Sequence, residues 1–166
     1  MLRSGEIQVY YHAALTAYVA GWNAYIKNLV RAFYDVIPNS SPIYAIARQA
    51  AERLTERFNT PNWENTQKFL EQCTGSDPIN DWVWSRRGMS GLQVRVRLNE
   101  ILRVRHSFAH GFDIPTYDWT RSPSGKVRLT SKAIQEVEAF FKNLVKVTDN
   151  GMKVHIESTY ELSNIW

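Results

Sequence analysis

One cysteine, no long apolar run and only four histidines exclude more than the composition suggests at first sight. Cys73 has no intramolecular disulfide partner, and its place beside Phe69 and Leu70 at helical spacing reads as a buried structural thiol, not a nucleophile. Every apolar stretch is broken by Tyr, Asn, Lys or Arg well before the roughly 20 residues a bilayer span requires, so no membrane association is expected. The N-terminus lacks the basic, apolar and small-residue regions of a secretory signal, which makes the cytoplasm the expected compartment. Repeats and low-complexity tracts are absent as well. Against these shortages stand 44% hydrophobic and 13% aromatic residues, six of them Trp, enough to bury a core in a 166-residue chain. Residues 1–166 are therefore expected to form one domain.

The formal charge of +4 is modest, but its distribution is not. Arg86, Arg87, Arg95, Arg97, Arg103 and Arg105 face only Glu100 between them, so this one segment carries more than the whole excess. Every cation there is Arg. The planar guanidinium suits bidentate phosphate recognition, whereas the plain alternative is a solvated helix face with snorkelling side chains.

Periodicity sets the fold class. Leu15, Tyr18, Trp22, Tyr25, Leu29, Phe33 and Val36 recur at three- and four-residue steps and predict a long first helix. Ser41-Pro42 opens a second, with Ile43, Ile46, Ala47, Ala50, Leu54 and Phe58 as its expected apolar face. Trp63, Phe69, Leu70 and Cys73 suggest a third that stops near Gly75, and residues 75–91 read as a loop anchored by Trp82 and Trp84. A fourth helix is expected from about Leu92 to Ala109, capped by Gly111. Residues 112–128 read as an irregular excursion with a hairpin turn, and Ile134, Val137, Phe140, Phe141 and Leu144 mark a fifth helix that Asp149-Asn150-Gly151 is expected to end. The closing segment is either a short strand or a tail. The predicted fold is all-α: a compact up-and-down bundle of about five helices with a loop and hairpin insertion before the last.

The fourth helix holds the chemistry. Leu98, Ile101, Leu102, Arg105, Phe108 and Ala109 fall on one helical face, which puts Arg105 on the apolar stripe. A guanidinium there needs an internal carboxylate, a chain interface or a ligand phosphate. Asn99, Arg103, His106 and His110 share a second face. Two histidines one turn apart can begin a zinc site, but the segment has no nearby Cys and Glu100 lies off their face, so no metal is expected. A histidine pair at a helix C-terminus also sits well with the macrodipole and needs no function.

Arg105-His106-Ser107-Phe108-Ala109-His110-Gly111 resembles the hallmark of the HEPN superfamily, an Arg, then Asn, Asp or His, three variable residues and a His. With Leu98-Asn99-Glu100-Ile101 and the upstream Phe58-Asn59-Thr60-Pro61-Asn62, it looks like the RiboL-PSP-HEPN branch. The resemblance implies a helical bundle that dimerises through helix 92–109 and cuts RNA in a shared cleft without metal or cofactor. Many such proteins are toxins or antiviral defence effectors, with an antitoxin or other regulatory protein as partner. Carried onto this chain, Arg105 would hold the scissile phosphate, His110 would move protons and His106 would orient partners or contact RNA. Arg103, Asn99, Ser107 and Arg97 are the expected substrate-binding residues. Arg103 rivals Arg105 for the phosphate, since it lies on the histidine face, although Val104 follows it where the pattern wants a polar residue.

The reaction these groups suit is attack of a ribose 2′-hydroxyl on the adjacent phosphorus, leaving a 2′,3′-cyclic phosphate and a 5′-hydroxyl. DNA lacks that hydroxyl and should be spared. Histidine exchanges protons near neutral pH, and arginine stabilises charge on the non-bridging oxygens. Arg105 and His110 point roughly 140° apart on a regular helix, so a two-fold axis that buries Leu98, Ile101 and Phe108 against their mates is the expected way to bring them together. The alternative is a non-catalytic HEPN module that binds RNA or protein through the same helix.

Overall fold

The computed structural model describes residues 4–39 and 41–163. Five helices make up the bundle: α1 (Ser4–Val36), α2 (Pro42–Arg57), α3 (Trp63–Thr74), α4 (Gly91–Ala109) and α5 (Ser131–Tyr160). Among the described residues there is no strand, only the isolated bridges Trp84 to Met89 and Arg121 to Val127. The expected all-α class and helix order hold.

The two longest helices frame the molecule. At about 1.5 Å per residue α1 and α5 each extend for roughly 45–50 Å. α1 buries Leu15, Val19, Trp22, Ile26 and Phe33, and α5 buries Val137, Phe140, Leu144, Met152 and Ile156. Trp82, fully buried from the loop before α4, packs edge-on against Trp22 with centroids 6.1 Å apart. Its indole N–H donates to Thr148 Oγ1 at 2.9 Å, so the large ring enters the core with its one polar group satisfied. Trp22 likewise donates to the Pro61 carbonyl at 3.2 Å. That bond ties α1 to the turn between α2 and α3.

Two expectations fail for identifiable reasons. Asp149-Asn150-Gly151 does not end α5, which continues to Tyr160, and residues 151–160 are neither strand nor tail. Those triplet residues serve contacts instead. Asp149 accepts from the Tyr25 hydroxyl at 2.7 Å. A Cβ at position 151 would stand 2.2 Å from Asp81 Oδ2, so Gly151 is where the Trp82 loop presses on the helix. Residues 164–166, the end of that expected segment, lie outside the described residues.

The second failure is part of the face of α2: Ala47, Leu54 and Phe58 pack on the core as expected, but Ile43, Ile46 and Ala50 do not. Its buried residues are Ala51 and Thr55, while Ile43 and Ile46 are 75% and 70% exposed. The Tyr44 hydroxyl donates to the Tyr34 carbonyl and the two rings meet edge-on. This anchor turns the line from Tyr44 to Ala51 and Thr55 inward. Ser41 caps the helix as expected.

Candidate active site

Both ends of α4 are locally specified. At the start, Ser90 and Gln93 form a reciprocal capping box. At the finish, Gly111 adopts φ 68°, and the N–H groups of Gly111 and Phe112 donate back to Phe108 and Ser107 carbonyls at 3.2 and 2.8 Å. This reversal is a Schellman motif, and only a residue at ease in the left-handed region completes it without strain. It folds Phe112 back beside the helix end, 5.9 Å from the His110 ring and 6.4 Å from that of His106.

The burial of α4 corrects the expected stripe. Its buried residues are Val94, Leu98, Ile101, Val104 and Ser107. Successive steps of three rotate the contact line by roughly 60° each time, as happens where neighbouring helices cross obliquely. By Ser107 the line has moved round the helix. Arg105 is exposed, and Phe108 is 43% exposed. The same fact removes Leu98 and Ile101 from any expected interface between copies, since both lie at 0% exposure in the core of one chain.

A cavity of about 730 Å³ opens against the last turns of α4. Asn99, Arg103, Arg105, His106 and Ser107 contribute from α4, Asn23 and Thr16 from α1, Asn59 to Asn62 from the turn before α3, and Phe112 and Asp113 from the segment after α4. The two sequence stretches that resemble the RiboL-PSP-HEPN branch thus line one cavity, although they are some forty positions apart. His110 is not in the lining. It caps the helix at the rim, its ring centroid 4.2 Å from that of His106.

The predicted site residues are unequally free. Arg103, Arg105, His106 and His110 are exposed. None of them has a side-chain hydrogen bond or ion pair with another described residue. Arg97, by contrast, pairs with Glu100 at 3.2 Å and Asp118 at 3.1 Å, lies over Trp119, and lines a different groove on the far side of α4. Asn99 accepts from the Trp63 N–H at 3.3 Å and donates to both Glu64 oxygens at 3.1 Å. It satisfies a first-turn donor of α3 and so acts as a clasp between α3 and α4. Ser107 is buried and donates to the Val104 carbonyl at 2.9 Å.

Sequence reasoning missed three participants. His12 is 5% exposed and stacks flat on Phe108, centroids 4.0 Å and planes 7° apart; burial pushes its imidazole below the usual histidine range. Asn23 enters the cavity wall with a buried Oδ1 that accepts no hydrogen bond. Phe112 stands at the mouth, 65% exposed. A polar residue interrupting the periodic stripe of α1 was the available signal for His12 and Asn23. Nothing local marked Phe112. Cys73 matches its structural reading, buried with its thiol pushed up to about 12 by desolvation. Among the described residues no three His, Cys, Asp or Glu side chains cluster to hold a metal ion, and no helix is long and apolar enough to cross a membrane.

An all-helical bundle whose fourth helix ends in Arg-His-x3-His beside a cavity has the features of a HEPN domain. The chain belongs to the RiboL-PSP-HEPN family, whose model matches residues 2–153. No curated protein and no solved structure matches it. HEPN domains are often nucleases, so membership makes RNA cleavage or RNA binding the class of function to be tested.

Proposed function

We propose that this chain is a metal-independent endoribonuclease of the toxin or defence-effector type, acting as a homodimer in which 1–166 behaves as one catalytic domain. The observation that carries this reading is a set of uncommitted side chains: two guanidiniums and two imidazoles crowd one helix end, exposed and without carboxylate partners, beside a cavity. Elsewhere in the same helix the fold neutralises such charge, as at Arg97. The two unpaired guanidiniums make this face locally positive, and a phosphodiester is the kind of anion such a face attracts.

In this mechanism Arg105 or Arg103 holds the non-bridging oxygens and stabilises the charge that develops on them. One imidazole takes the proton from the 2′-hydroxyl as it attacks phosphorus. The leaving 5′-oxygen accepts a proton from another, on the opposite side. His106 and His110 of one chain cannot divide these tasks: their centroids are 4.2 Å apart, whereas groups flanking one phosphorus each need an oxygen at about 2.7 Å. A second copy related by a two-fold axis brings the second His110. With Leu98 and Ile101 committed to the core, the surfaces left for that contact are the exposed Phe108 and Ala109 of α4 and the neighbouring Val9, Tyr10 and Ala13 of α1.

His110→Ala, as homodimer and as a two-tag mixed dimer with the parent chain, tests both parts. The homodimer should lose cleavage by about a hundredfold or more, and the mixed dimer should fall far below half the parent activity. A mixed dimer at half activity would refute the shared site. Binding of RNA without any cutting by the parent would leave the non-catalytic module.

A further inference from the structure

α4 and α5 both pack along α1 but barely touch each other. Two helices laid on a third without meeting leave a groove between them, and this one holds about 1090 Å³ on the far side of α4 from the candidate active site. Buried Ile101, Val137 and Phe140 line it, together with the rings of Trp84 and Trp119. Leu92 and Val96, one turn apart on α4, also line it and are 63% and 48% exposed. The charges in the groove are of two kinds. Arg97 is taken up by Glu100 and Asp118. Arg87, Arg121 and Lys132 are exposed with no carboxylate partner among the described residues, and Arg87 is held beside the groove over the Trp84 ring, 5.7 Å from its centroid. Arg86, Lys126 and Arg128 stand exposed and equally unpaired in the same two turns as Arg87 and Arg121. Against these six cations the lining offers one unpaired carboxylate, Glu136.

We propose that this groove docks a partner protein through an amphipathic acidic helix, its aliphatic side chains seated against Leu92 and Val96 and its Asp and Glu residues facing Arg87, Arg121 and Lys132. A groove between two helices accepts a third by its apolar stripe, and unpaired cations along the groove select carboxylates beside that stripe. A basic helix would cover the same aliphatics but set cation against cation. RNA is the other polyanion such a face attracts. Single strands, however, are held on exposed aromatic rings, whereas Trp84 and Trp119 are only 8% and 7% exposed and the uncovered apolar side chains are aliphatic. Those gain from burial against other apolar side chains, which a protein supplies and a sugar-phosphate backbone does not. The docking site requires no activity at the other face of α4 and stands whether or not RNA is cut there.

Random peptides roughly four helical turns long, displayed as a library and selected on the intact protein, are the probe. Selection should enrich Leu, Ile or Val at three- and four-residue steps with Asp or Glu beside them. A synthetic copy of an enriched peptide, read by fluorescence anisotropy, should bind Leu92→Glu about tenfold or more weakly than the parent, the loss expected of a central apolar anchor. Leu92→Ser gives a milder test of the same contact, and melting temperatures show which variants are folded. Arg87→Ala combined with Lys132→Ala should also weaken the peptide, and added salt should weaken it on the parent. Arg105→Ala should bind it as the parent does, which keeps this result separate from the ribonuclease reading. A 2′-O-methyl oligouridine, which cannot be cleaved, should bind the Arg87→Ala, Lys132→Ala variant almost as it binds the parent. Selection without the acidic aliphatic pattern, or an enriched peptide indifferent to both Leu92 substitutions, overturns the docking site. Loss of oligouridine binding on removal of Arg87 and Lys132, with no effect of Leu92, overturns it in favour of an RNA surface.

Discussion

The two halves of α4 carry similar side chains and use them in opposite ways. From Gly91 to Ile101 the side chains are held against the fold: Arg95 lies over Trp63 with its Nε buried and without a hydrogen-bond partner, Arg97 pairs with Glu100 and Asp118, and Asn99 clasps Trp63 and Glu64. From Leu102 onward, Arg103, Arg105, His106 and His110 are exposed with no hydrogen-bonding or ionic partner among the described residues. Arginine content alone therefore does not mark a binding face. What marks it is arginine left both exposed and unpaired, because such charges stand ready to attract an incoming anion.

The sharpest way to break this contrast is to truncate one residue in each half. Arg105→Ala should lower RNA cleavage by roughly 10²–10³-fold, the loss expected for a donor aimed at developing negative charge, with an unchanged melting temperature. Asn99→Ala should do the reverse, costing about 1 kcal/mol of stability for the lost clasp and leaving cleavage within a few-fold once the protein is folded. Chemical denaturation and a gel assay on the same samples would read both. A stability loss at Arg105 equal to that at Asn99 would erase the distinction between the halves. Arg103→Ala sharpens it: whichever arginine costs more activity is the one on the scissile phosphate.

A smaller effect is expected at His12, whose ring supports the free half from below through Phe108. Burial lowers its folded pKa beneath the ordinary value of 6.5. In acid the unfolded chain then binds a proton that the folded chain resists, so this contribution is whole above that value and is lost as pH falls through it towards the depressed folded pKa. Melting temperatures across pH 7.5 to 5.5 should fall less for His12→Phe than for the parent. Parallel curves would mean that His12 does not stay neutral against Phe108.

These contrasts also explain what could be read from the chain before its structure. Helix starts and stops at Ser41-Pro42, Gly75 and Gly111 were legible because capping is local chemistry, fixed by a few adjacent residues. Faces were less so. Ile43 and Ile46 looked buried by period, yet the choice was made by Tyr44 reaching Tyr34. Arg105 looked buried by period too, but oblique crossing carries the contact line away from it. Gly151 read as a terminator because a glycine needed for close approach to Asp81 resembles one needed for a turn. The motif end of the site was visible in sequence, whereas Asn23 and Phe112 join it only through tertiary packing and a Schellman reversal.

The central claim is that the uncommitted end of α4 cuts RNA by proton transfer and charge stabilisation alone. Parent protein and Arg105→Ala incubated with total RNA in excess chelator, with the product ends identified, test it most directly. The account predicts cleavage by the parent to 2′,3′-cyclic phosphate and 5′-hydroxyl ends, and near-complete loss in the variant. Cleavage that chelator abolishes and a divalent ion restores, or products ending in 5′-phosphate, would contradict it.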